Sequence, residues 1–168
     1  TFIITASAEN EPFNHPAEEL TCISYRGDTT VYEPNSPEAV KSAFDKGADI
    51  VSVNIRKSPD GTFLLCSENT AAVKGIALSE MLSALGSQEK LILDFDISLK
   101  DEVYELIKAD NALNKVYLRI KDSADNINSW LGSKTQAPMV IGVCSSFNIF
   151  TVVSFVKKLR HLPAIQLQ

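Results

Sequence analysis

The chain has 168 residues, 45% of them hydrophobic and 22% charged, a balance that suits one ordinary globular core. Its net charge of −5 argues against a nucleic-acid partner, which calls for clustered Lys and Arg in excess, and it removes the same support for binding at an anionic membrane surface. No apolar run reaches the ~18 residues of a membrane span, and Cys22, Cys66 and Cys144 are too scattered for a zinc site or a disulfide framework, so they read as small buried apolar side chains.

The first residue is Thr1, so the sequence reads as a processed chain or an excised piece. TFIITASA lacks the basic start of a signal segment and reads better as a strand, with a linker to residue 19. Location stays open, an extracytoplasmic one being slightly favoured.

From residue 20, β-branched runs alternate with amphipathic stretches. Strands are predicted at 21–25, 49–56, 90–97, 115–121, 137–145 and 163–168. A helix is predicted over 36–48, where Ser36 is placed to cap, Pro37 takes the first helical position and Gly47 ends the run. Shorter helical patterns cover 78–85 and 123–132, the latter anchored by Trp130 and Leu131. Two longer ones cover 99–113, with Val103, Leu106 and Ile107 on one apolar face, and 147–159. Between the second strand and the 78–85 helix, Pro59-Asp60-Gly61 turns the chain into an extra extended run.

Strands alternating with helices imply parallel strands joined by crossovers. An open doubly wound sheet and a barrel both fit. The loop RGDTTVYEPNS after the first strand is too long and glycine-poor for a dinucleotide turn, which favours the barrel. The expected fold is therefore α/β of (β/α) TIM-barrel type, an incomplete barrel of about six parallel strands plus an N-terminal strand. Residues 20–168 form the expected barrel domain, truncated at its C-terminus, because a full barrel needs at least ~200 residues.

Residues 25–69 carry a more specific signal. Arg26-Gly27, Asn35-Ser36, Gly47-Ala48-Asp49 and Asp60-Gly61 stand at the spacings of a pattern that runs His-Arg-Gly, Pro-Glu-Asn-Thr, Gly-Ala-Asp, Glu-x-Asp, Asp-Gly and His-Asp. In this respect the chain resembles the glycerophosphodiester phosphodiesterase family, and residues 75–98 resemble that family's next helix and strand. TFIITASAEN also resembles the family's closing strand, which leaves Thr1–Asn10 open as an ordinary leading strand, a permuted strand or the end of a preceding repeat.

The positions that carry the family's chemistry differ. Tyr25 and Ser67 stand in place of its two histidines, and Glu68 in place of an aspartate. Ser52 and Asn54 stand in place of a metal-binding Glu and Asp, Asp96 replaces a further metal-binding glutamate, and Ser98 replaces a lysine. Glu33 is shifted by one position from the family's glutamate. The resemblance implies two histidines for proton transfer and a divalent cation held by carboxylates. General acid–base groups contribute about 10²–10⁴-fold each, and a phenol is a poor base at neutral pH, so Tyr25, Ser67 and Glu68 are degenerate positions with no catalytic role assigned. His15 and His161 lie outside the motif.

Strand alternation groups Ser52, Asn54 and Arg56, then Asp94 and Asp96, then Tyr117, Arg119 and Lys121, each on one face. Arg26, Arg56, Arg119 and Lys121 are the expected ligand-binding cations, because guanidinium forks suit phosphate. A structural ion-pair network is the competing role for the same residues. Asp94 and Asp96 are the remaining metal candidates, giving a weak Mg²⁺ or Ca²⁺ site at best, with Ser52 and Asn54 as its lost ligands. No cofactor is expected, Mg²⁺ or Ca²⁺ being the alternative. The expected function is a catalytically degenerate phosphodiesterase-like domain with a binding or structural role toward a phosphate ester. The alternative is an active metal-dependent phosphoric diester hydrolase of lipid metabolism. Another domain or subunit completing the barrel is the expected macromolecular partner.

Overall fold

The computed structural model describes residues 2–4, 21–66, 75–144, 149–159, 162 and 164–167. Two compact bodies make up the chain, one of residues 20–117 and one of residues 118–168 with the segment through residue 19.

Strand β1, Phe2–Ile4, belongs to the second body, and strand β2, Ile23–Tyr25, is the first described strand of the first. Helix α1, Pro37–Asp45, follows because Ser36 is extended and its hydroxyl accepts the Ala39 N–H, while Pro37 supplies a ready-made φ at the first turn. It buries Ala39, Val40 and Ala43, and it stops where Gly47 enters the left-handed region at φ 92°. Strand β3, Ile50–Lys57, and strand β5, Lys90–Asp94, bury Val51, Val53, Leu91 and Leu93 completely. β3 is parallel to β2 on one side and to β5 on the other, Ser52 lying opposite Tyr25 and Asn54 opposite Asp94.

The turn at Pro59-Asp60-Gly61 leads into β4, Phe63–Leu65, which runs antiparallel to the end of β3. Asp60 is what shapes it: the carboxylate accepts the Ser58 hydroxyl and, at 3.0 Å, the Thr62 N–H. Helix α2, Leu78–Ala84, buries Leu78, Met81 and Leu82. Helix α3, Lys100–Ala109, buries Val103, Tyr104 and Ile107, whereas Leu106, expected on that face, is half-buried. The helical period brings Val103, Tyr104 and Ile107 to one side of α3, so Tyr104 is buried with them.

Strand β6, Val116–Ile120, alternates strictly, with Val116, Leu118 and Ile120 buried and Tyr117 and Arg119 half-buried. In the second body, helix α4, Ala124–Gly132, is capped by the Ser123 hydroxyl and buries Ala124, Ile127 and Trp130. Leu131 stays half-buried, one residue off that three-residue stripe. Strand β7, Met139–Cys144, is parallel to β8, Ala164–Leu167, and β8 is antiparallel to β1, Phe2 pairing with Leu167. Helix α5, Ile149–Leu159, crosses between β7 and β8. Gly142 lets it lie close, since a Cβ there would sit 2.9 Å from Leu159 Cδ1.

Parallel strands joined by helical crossovers, with one inserted hairpin after β3, make this an α/β chain of (β/α) TIM-barrel type, the barrel being incomplete among the described residues. Cys66 and Cys144 are buried free thiols, as expected, while Cys22 is exposed. No described helix is long and apolar enough to cross a membrane.

Candidate functional site at the carboxyl ends of β2, β3 and β5

The loop after β2 is held by its backbone. Arg26 and Gly27 are consecutive left-handed residues, at φ 64° and 82°. Arg26 donates its N–H to the Ser52 carbonyl at 2.7 Å and accepts the Asn35 N–H at 3.0 Å. A Cβ at Gly27 would lie 2.5 Å from the Ala39 carbonyl carbon, so only glycine permits this approach to α1. Tyr25 is 58% exposed, and the Arg26 guanidinium lies 4.8 Å from its ring centroid.

Asp28 then fastens the loop to α1. Its buried carboxylate accepts the Thr30 hydroxyl at 2.5 Å, the Ser42 hydroxyl at 2.7 Å and the Lys46 ammonium at 2.5 Å. Those donors, Lys46 foremost, followed by Thr30 and Ser42, hold the carboxyl well below the usual aspartate range. Sequence reasoning missed Asp28. The signal was there in Ser42 and in Lys46 just past the end of α1, four residues apart.

Asn35 fastens the other end. It is buried with φ 63°, and its side chain makes two long-range bonds: Nδ2 donates to the Cys66 carbonyl at 3.1 Å and Oδ1 accepts the Asn54 N–H at 3.0 Å. The Cys66 N–H in turn reaches the Asn54 carbonyl at 3.1 Å. One side chain thus ties the site loop, β3 and the hairpin together. The Cys66 thiol is pushed up by burial, and the Arg56 charge pulls it partly back. Asp49 plays a related part at the entry of β3, accepting the Cys22 N–H at 2.7 Å.

A cavity of about 450 Å³ opens beyond these clamps, lined by Asn54 to Lys57 of β3 and by Asp94, Phe95, Asp96 and Leu99 after β5. Ser52 and Asn54 are 8% and 6% exposed, and Arg56 and Lys57 emerge at the strand end. Lys57 pairs with Glu102 of α3. The strand expected to run to residue 97 stops at Asp94, because Asp96 turns the chain: its Oδ1 accepts the Ser98 N–H at 2.9 Å and the Ser98 hydroxyl at 2.7 Å, capping a 3-10 turn at Ile97–Leu99. The Ser98 hydroxyl, followed by its N–H, holds the Asp96 carboxyl below its usual range.

The cavity therefore brings together Asn54, Arg56, Asp94 and Asp96 of the expected site residues. Ser52 lies one alternation behind Asn54 and opposite Tyr25. Arg119, half-buried on β6, and Lys121, exposed just after it, belong to the other body. Ser67, Glu68, His15 and His161 lie outside the described residues. As a cation site the donor set fits poorly. Hard divalent ions take six to eight oxygens, with carboxylates prominent, whereas Ser52 and Asn54 are neutral and one oxygen of Asp96 already serves Ser98. Among the described residues no group of three His, Cys, Asp or Glu side chains is placed to hold a metal ion.

No family model matches the sequence, and no curated protein does. Solved structures match throughout most of its length. A glycerophosphodiester phosphodiesterase from Thermotoga maritima superposes with a TM-score of 0.64 at 18% identity, over 84% of this chain and 70% of that one. One from Agrobacterium tumefaciens gives 0.65 at 15% identity, over 88% and 76%. A glycerophosphoryl diester phosphodiesterase from Parabacteroides distasonis gives 0.70 at 14% identity, over 91% of this chain and 64% of its own, less than two thirds of its length. The chain has the glycerophosphodiester phosphodiesterase fold.

On that fold, most of the motif residues this chain shares with the family pattern shape backbone. Gly27 admits α1, Asn35 and Asp49 clamp β3, Ser36 caps α1, Gly47 ends it, and Asp60 with Gly61 makes the hairpin turn. Three of the residues that differ, Tyr25, Ser52 and Asn54, share one face of paired strands at the carboxyl end of the sheet. Ligands of (β/α) barrels are met at that end.

Proposed function

We propose that this glycerophosphodiester phosphodiesterase-type domain binds a phosphate ester without hydrolysing it. The observation that carries the reading is the split between intact scaffold and altered chemistry. The clamps that position the site loop are in place, yet the face they position presents a phenol, a hydroxyl and an amide at Tyr25, Ser52 and Asn54. Those groups neither accept a proton readily at neutral pH nor supply the negative charge that a divalent cation requires. Arg56, lining the cavity, has the forked geometry that pairs two donors with one phosphate.

Glycerophosphocholine incubated with the protein and Mg²⁺, Ca²⁺ or Mn²⁺ tests the absence of hydrolysis. No glycerol 3-phosphate above the buffer rate is expected, whereas titration calorimetry with glycerol 3-phosphate itself gives a saturable heat that Arg56→Gln removes. Turnover that vanishes in Asp94→Ala would overturn the reading in favour of an active hydrolase with a remodelled site.

A further inference from the structure

The large apolar side chains left exposed among the described residues are Tyr25, Val31 and Tyr32, and all three lie between the end of β2 and the start of α1. Val31 is 68% exposed and Tyr32 41%. The loop that presents them is firmly built. Its ends meet where the Arg26 carbonyl accepts the Asn35 N–H, and inside it the Tyr32 N–H reaches the Asp28 carbonyl while the Thr30 N–H reaches the Asp28 carboxylate, both at 3.3 Å. Two of the four buried polar side chains described, Asp28 and Asn35, hold this loop to its neighbours. The fold thus fixes an apolar apex in water, where burial is still to be gained, and a rigid tyrosine offers contact area at little cost in conformational freedom.

The rim of the apex carries both signs of charge. Glu33 on the loop and Glu38 and Lys41 on α1 are exposed, and among the described residues none of the three makes an ion pair, whereas Lys46 is taken by Asp28. All of them belong to the body of residues 20–117.

We propose that this apex is a self-association surface, on which a second copy of the chain docks about a two-fold axis. A partner of one charge sign leaves either the two carboxylates or Lys41 unmatched. A second copy brings the same Val31 and Tyr32 together with both signs, so Lys41 of each copy meets Glu33 or Glu38 of the other. The apex is small beside the roughly 20–30 residues a side of a standard interface, so the dimer is weak and reversible. It makes no use of the cavity between β3 and β5, and it stands or falls separately from the phosphate-ester reading.

Sedimentation velocity of the whole chain from low to high micromolar concentration tests it, with each variant checked as folded by circular dichroism. The wild type is expected to pass from monomer to dimer, and Val31→Glu to weaken the association at least about tenfold. A charge exchange tests the two-fold arrangement. Lys41→Glu, and Glu33→Lys combined with Glu38→Lys, should each remain monomeric alone, and an equimolar mixture of the two should dimerise. A wild type that stays monomeric throughout overturns the proposal, as does a dimer that Val31→Glu leaves intact or a mixture that fails to associate. Monomer that pellets with phosphatidylcholine vesicles, and no longer does so as Val31→Glu, also overturns it by giving the apex to a lipid surface.

Discussion

The side-chain oxygen of Asn35 accepts the backbone N–H of Asn54 at 3.0 Å, across nineteen residues of sequence. The amide nitrogen of the same side chain reaches the Cys66 carbonyl, so a single buried group serves two backbone partners. Asn35→Ala removes both bonds inside the protein and leaves an alanine at φ 63°. Unmet buried polar groups cost about 1–3 kcal/mol each, so a loss of roughly 2–4 kcal/mol is expected in urea unfolding. A loss under about 0.5 kcal/mol would show that the clamp is not needed.

Gly27 and Gly47 make a controlled pair. Both have positive φ, but a Cβ at Gly47 meets nothing within 4 Å, whereas one at Gly27 collides with the Ala39 backbone. Gly47→Ala should therefore carry only the left-handed penalty of about 1–2 kcal/mol. Gly27→Ala should lose more, and it should also weaken ligand binding by shifting Arg26. Equal losses in thermal unfolding would count against the close approach of loop and helix.

Asp28 makes an acid-dependent contribution. Its folded pKa lies below the unfolded value, so the stability it adds is present above the ordinary aspartate pKa of ~3.9 and fades as pH falls below that value toward the folded one. Asp28→Asn should be clearly less stable than the wild type at neutral pH, and the gap should narrow steadily below about pH 4. A gap that stays constant through the acid limb would rule out the Lys46, Thr30 and Ser42 donors as its source.

Returning the two lost charges gives a further test. Ser52→Glu with Asn54→Asp places carboxylates at positions now 8% and 6% exposed. In EDTA the double variant should melt below the wild type, because buried unpaired charge is unfavourable. Added Mg²⁺ or Ca²⁺ should raise its Tm as a bound cation does, and should leave the wild-type Tm unchanged. A wild-type Tm that climbs with the metal would mean that Asp94 and Asp96 suffice.

The strand rhythm was legible because burial writes itself into spacing. The observed strands fall at or within a residue or two of the expected segments, apart from 90–97, where Asp96 prefers its Ser98 donors to the ladder. Helix α1 was readable from Ser36, Pro37 and Gly47, whose roles are local. Asn35 was visible as a motif match but not as a clamp, since its partners lie nineteen and thirty-one residues away and depend on three elements already being in place. The pairing of Asn54 with Asp94 escaped for the same reason: alternation sorts residues by face, and only register says which of them meet.

The antiparallel seating of Phe2–Ile4 against Ile165–Leu167 limits how strands can be added beside β8. β7 and β1 occupy the two flanks of β8, so a newcomer that continued the parallel β/α series would have no donors or acceptors left to zip onto there. Among the described strands of that body β1 is outermost on this side, so a strand added there would meet one that already runs against the parallel series.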